Sequence, residues 1–143
     1  MATAADRIIQ CYGTPMKRQF TATAAIIYGG DLVMINGDGN ALSATDTAGA
    51  IIAGIAESQC AASGTVTVLD CADFLIPHAS AATTDINTVA YADDSGGGDD
   101  SDTNTLIIGG VVGVATNMWR VHINYGANIV YEILQTQITT KVV

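Results

Sequence analysis

A run of small and branched apolar residues, Ile51-Ile52-Ala53-Gly54-Ile55-Ala56, returns later as Ile107-Ile108-Gly109-Gly110-Val111-Val112-Gly113-Val114-Ala115. Each copy carries a Gly-apolar-Ala core, Gly54-Ile55-Ala56 in the first and Gly113-Val114-Ala115 in the second, and each follows a polar, turn-rich loop. Branched side chains fit a pleated strand at little cost, and a glycine inside such a run marks a bulge or a close backbone approach. Both copies are therefore expected to be buried strands, one per half of an internally duplicated domain. Their separation exceeds the usual solenoid period of about 20 to 50 residues, so the pattern predicts pseudo-symmetry within one domain, not a repeat array.

The segments around the two copies carry the same β signature. Residues 24–28, 32–35, 72–76, 88–92 and 119–123 are short apolar runs, and in 64–68 Val66 and Val68 alternate with threonines. Gly29-Gly30-Asp31 and the stretch 36–40 supply turns, because glycine and asparagine accept positive φ cheaply. Pro77 ends one strand, and 78–87 reads as a loop or short helix. No long, well-capped amphipathic helix is visible. Strands at short intervals with Gly-rich turns predict an all-β fold, a small β-barrel or β-sandwich.

The ends differ from this body. Residues 1–22 are expected to form an N-terminal arm, broken by Gly13 and Pro15 and carrying Arg7, Lys17 and Arg18, three of the chain's five basic residues. The body spans 23–125. In 126–143, Ile129, Tyr131 and Ile133 suggest a strand, whereas Val130, Leu134 and Ile138 suit a helix face; the Thr, Val and Tyr content favours a strand or extended arm. The apolar arm residues Ile8, Ile9, Tyr12 and Phe20, with Lys17 and Arg18, and Ile129, Tyr131 and Ile133 at the other end, are the candidate contacts to other subunits.

Composition bounds the function. The 143 residues suffice for one sizeable core. Hydrophobic residues make up 49% but aromatics only 6%, so the core must be built from small and branched side chains. Charged residues are 13%, with a net charge of −9. So little charge means either an Ala/Thr/Ser/Gly-rich surface or one covered in an assembly. The acidic balance argues against non-specific nucleic-acid binding, which needs Lys and Arg facing phosphates, and against an anionic membrane. No apolar run approaches the roughly 18 residues that span a bilayer. The first six residues lack the charged lead and apolar block of a secretory signal. Cys11, Cys60 and Cys71 lack metal-type spacing; Cys60 and Cys71 flank a strand-like run where they could meet, but buried free thiols are expected.

The chemistry-bearing residues make no active-site constellation. The acidic stretch 93–102 has the oxygens calcium needs but not the spacing of an EF-hand, so it is expected to be a solvated, mobile loop. His78 and His122 have no ligand-spaced partner. Gly109 to Gly113 lacks the Lys-Ser/Thr of a phosphate loop. Trp119, the single tryptophan, lies with Val121 and Ile123 on the inward face of its strand. No catalytic residue, cofactor or metal is expected.

The order of pieces resembles the small capsid cement, or head-decoration, proteins of tailed bacteriophages. The likeness rests on Gly30-Asp31-Leu32-Val33, Ile52-Ala53-Gly54-Ile55-Ala56, Gly64-Thr65-Val66-Thr67-Val68 with Phe74-Leu75-Ile76-Pro77, Asn87-Thr88-Val89-Ala90-Tyr91, Leu106-Ile107-Ile108-Gly109 and Val121-His122-Ile123-Asn124. It covers roughly residues 24 to 124. The resemblance implies a β body on the outside of an icosahedral head, commonly a homotrimer, that bridges neighbouring major capsid proteins. It implies no catalytic residues. The acidic stretch and the basic arm depart from the family pattern. A carbohydrate- or ligand-binding β module of a tail fibre or adhesin is the alternative, although the tyrosines are too dispersed to nominate its site.

Overall fold

The fold, a computed structural model, describes residues 6–94, 96–100 and 106–142, with side chains described up to residue 134. Eleven strands form two antiparallel sheets. They are β1 (Cys11–Tyr12), β2 (Met16–Thr21), β3 (Leu32–Ile35), β4 (Ala41–Ser43), β5 (Ile51–Ala56), β6 (Thr65–Asp70), β7 (Ala72–Pro77), β8 (Val89–Ala92), β9 (Gly98–Asp99), β10 (Ile107–Ala115) and β11 (Met118–Ile123). A helix, α1 (Tyr125–Val142), follows. The first sheet runs β2-β6-β5-β3-β4 and the second β1-β7-β11-β10-β8-β9. The fold is thus an all-β sandwich, and the sheets do not close into a barrel.

The two sheets repeat one topology. Strands β2 to β6 take the order β2-β6-β5-β3-β4, and β7 to β11 take the matching order β7-β11-β10-β8-β9, with β1 added outside β7. The local irregularities match too. Pairing of β3 with β5 skips Ala53, and pairing of β8 with β10 skips Ile108, so each half has a bulge at its central strand. After each bulge stands a glycine against a carbonyl: a Cβ on Gly54 would lie 2.0 Å from Leu69 O, and one on Gly109 would lie 2.0 Å from His122 O. The structural mate of Gly54 is therefore Gly109, not the Gly113 that the Gly-apolar-Ala match suggests. Gly113 has room around it.

The inward faces of both sheets pack into one core. Leu32, Met34, Ile52, Ile55 and Leu69 of the first sheet meet Phe74, Ile76, Ile108, Val111, Trp119, Val121 and Ile123 of the second. Trp119, Val121 and Ile123 are fully buried on the face their alternation predicts. A second cluster, with Ile27, Val33, Ile35, Ala53, Ala56, Cys60, Val66 and Val68, covers the other face of the first sheet. Strand β5 is consequently buried on both faces, which explains why its sequence is a continuous apolar run.

Four expectations are corrected. Residues 24–28 are not a strand: Ile27 makes a single bridge to Cys60 and lies as a plug over the first sheet. The N-terminal arm is not free, because β1 pairs with β7 and β2 pairs with β6 along its whole length. The acidic stretch is partly built in, since Gly97 and Gly98 are buried and β9 pairs with β8. A Cβ on Gly98 would come within 2.9 Å of the Trp119 ring, so the bare glycine lets the backbone lie on the indole. Residues 95, 101 and 102 of that stretch are outside the described residues.

The last correction is α1, a helix where a strand or arm was expected. Its start is doubly capped: Asn124 Oδ1 accepts from Ala127 N at 2.9 Å, and the Asp70 carboxylate accepts from Tyr125 N at 2.9 Å. Those contacts satisfy donors that a helix leaves orphaned and put negative charge at its positive end. Tertiary capping outweighs the β preference of the Ile, Val and Tyr residues.

Candidate functional surfaces

The nine candidate contact residues fall on three separate surfaces. Ile8 is 91% exposed beside the mouth of the sandwich, while Ile9 is half-buried against the core. Tyr12 lies exposed on the second sheet under the Arg120 guanidinium, 4.1 Å from its ring centre. On the far edge, in β2, Lys17 pairs with Glu57 at 2.9 Å, and Arg18 Nε donates to the fully buried Asp70 at 3.1 Å. Asp70 raises the Arg18 pKa, chiefly through that hydrogen bond. Phe20 packs edge-on against Tyr125 at 5.5 Å, and Arg18 sits 5.6 Å above the same ring. Lys17, Arg18 and Phe20 thus tie β2 to the body and to the root of α1.

The third group is on α1. Ile129 is half-buried, whereas Val130, Ile133 and Leu134 are about half exposed and Tyr131 is 39% exposed. The helix is anchored near its start by Asn128, whose Nδ2 donates to Ile52 O at 3.0 Å and to Ile108 O at 3.1 Å. Both carbonyls belong to the bulged central strands, one in each half. Between α1 and the second sheet lies an apolar hollow of about 250 Å³ lined by Val89, Ile107, Gly110, His122 and Tyr131. Side chains beyond Leu134, including that of Ile138, lie outside the described residues.

Sequence reading misses the open face of the second sheet. Asp73 Oδ2 accepts from Arg120 Nε at 2.9 Å, and Asp73 Oδ1 lies 2.8 Å from His122 Nδ1. Tyr12 completes the patch. Asp73 and His122 are direct cross-strand partners and Arg120 is diagonal, the spacing at which side chains on one face meet. Alternation in 119–123 does place Arg120 and His122 outward, but nothing in the sequence pairs β11 with β7. Burial, and then the Asp73 charge, push the Cys11 thiol pKa up. Burial, followed by Asp70, does the same for Cys71. All three cysteines are free, with Cys60 buried and the other two half-buried.

One cleft adjoins Trp119. His78 stacks on the indole with ring centres 3.7 Å apart, and His78 Nδ1 lies 2.9 Å from Gly98 O. Trp119 Nε1 donates to Asp85 Oδ2 at 2.9 Å, which with the Ala82 N–H lowers the Asp85 pKa. Next to this stack is an open hollow of about 570 Å³ lined by Arg7, His78, Ser80, Asp93 and Asn117. Among the described residues, no three His, Cys, Asp or Glu side chains gather in a way that could hold a metal, and no helix is long and apolar enough to cross a membrane. No protein-family model matches the chain, and no curated protein sequence matches it.

Proposed function

We propose that this protein is a structural component of a phage virion that decorates the outer capsid surface, bridging major capsid proteins and associating with itself as a homotrimer. The resemblance in strand order supplies the reading. The observation that carries it is α1, which leaves the sandwich with Val130, Ile133 and Leu134 each about half exposed beside Tyr131. A helix with that much uncovered apolar surface gains from burial against another protein. The uncovered face of the second sheet, with Val89, Val112 and Tyr12 exposed, offers a further area for many small contacts. A scaffold buried on one side and open on the other suits static adhesion.

The test mixes purified protein with undecorated phage heads and images the particles. Protein should appear on the outside, and the double variant Val130→Glu/Ile133→Glu should lose binding while melting like the parent, since both positions are exposed. Undiminished binding by that variant would sink the role given to α1. The hollow beside His78 and Trp119 favours the second reading, a carbohydrate- or ligand-binding β module. Glycan binding without head binding would select it.

A further inference from the structure

The residues ahead of β1 cross the mouth of the sandwich as a strap. Asp6 Oδ1 accepts from Gly29 N at 2.8 Å, and Arg7 N donates to Gly29 O at 2.7 Å, which fixes one end to the first sheet. Gln10 O accepts from Leu75 N at 3.1 Å, and β1 then adds two residues to β7 of the second sheet. The hold is therefore largely backbone. Ile8 points away, and below Ile9 remains a cavity of about 60 Å³ lined by Leu32, Ile55, Phe74 and Ile76. A void of that kind leaves its lining without dispersion partners on one side. Arg7 Nη1 reaches Gly96 O at 3.3 Å and lines the same hollow as Asp93, so the strap's cation faces an acidic loop.

Only Gly13, Thr14 and Pro15 join β1, on one sheet, to β2, on the other. Gly13 has φ +99°, a conformation disfavoured for other residues, and proline stiffens the far end. A loosely packed terminal element, a cradle complete without it, and a short constrained hinge are the ingredients of exchange between identical chains.

We propose that residues 6–12 are exchanged between copies of this chain, each strap leaving its own body to fill the same cradle on a neighbour. The cradle already holds this very sequence, so a second copy's strap makes the same hydrogen bonds, and its Arg7 meets the same acidic loop. The new contact is strand addition to the free edge of β7. Linking of copies in this way goes beyond the capsid reading and stands if that reading fails.

The test uses full-length chains in a Cys11→Ser background. One chain carries Gln10→Cys and the other Leu75→Cys, so neither can close on itself across the strap. The two are unfolded together, refolded at physiological ionic strength, where charges are screened beyond about 8 Å, and oxidised. Exchange yields a disulfide-linked heterodimer of twice the chain mass on a non-reducing gel, increasing with concentration. In addition, deletion of Thr14 shortens the hinge and should at least double the mass measured by light scattering. A double variant Gln10→Cys/Leu75→Cys that closes within one chain while the mixture gives no heterodimer overturns the proposal. So does failure of both cross-links together with an unchanged mass for the Thr14 deletion.

Discussion

Strands β2 to β6 and β7 to β11 follow the same path, share the same bulge and place a glycine at the same tight approach, yet their surroundings differ. The first sheet is buried on both faces, because the chain around Ala22, Ile27 and Cys60 folds back over its outside. The second has no such cover, and Asp73, Arg120, His122 and Tyr12 stand on it in water. Equal topology with unequal burial separates what the fold requires from what has been left free. The shared bulges belong to the framework. The uncovered face and α1 are where a partner has room.

The sharpest way to break the comparison is at the two glycines. If Gly54 and Gly109 are equivalent, Gly54→Ala and Gly109→Ala should each lose about 4 kcal/mol in urea unfolding, since a Cβ would overlap a backbone carbonyl in both. A loss at only one would show that the halves tolerate strain differently. Next come the two ion pairs. Asp70 is fully buried and also caps α1, so Asp70→Asn should cost about 3 kcal/mol, whereas Asp73→Asn on the open face should cost less than about 1 kcal/mol. Comparable losses in thermal melts would mean that the open face is more enclosed than its exposure indicates.

Asn128→Ala removes the donor to a carbonyl in each half and should cost about 2 kcal/mol, with amide exchange speeding up in β5 and β10 together. Faster exchange in only one strand would show that the clamp holds one half alone. The smallest effect concerns Asp85, whose folded pKa lies below its ordinary value because Trp119 and the Ala82 N–H bond its carboxylate. A depressed pKa contributes stability that is present above the unfolded value and is lost as pH falls through the folded one. Asp85→Asn should therefore flatten the acid side of the stability profile below the ordinary carboxylate range. Fluorescence of Trp119, the single tryptophan, reads that limb directly.

Much of the β architecture is legible in the sequence because period-two alternation and apolar runs survive from residue to residue: Val66 and Val68, or Trp119, Val121 and Ile123, need no knowledge of the fold. The duplication is legible too, but its register is not. Matching Gly54-Ile55-Ala56 to Gly113-Val114-Ala115 rewards identical letters, whereas the structure matches glycines by which carbonyl crowds them, and Leu69 O and His122 O are invisible from sequence. Residues 126–143 misled for a related reason. Asn124 is the local signal of a helix start, but the decisive cap, Asp70, comes from a distant strand end. The Asp73–Arg120–His122 patch depends on the pairing of β7 with β11, which no local pattern encodes.

A single side-chain amide, that of Asn128, grips both bulged strands from the root of α1. Mechanical load arriving through the helix would pass into the middle of each sheet at once and shear two sets of neighbours, instead of unzipping an outermost strand. Pulling from the C-terminus should accordingly rupture the parent at higher force than Asn128→Ala, and equal rupture forces would remove this route for tension.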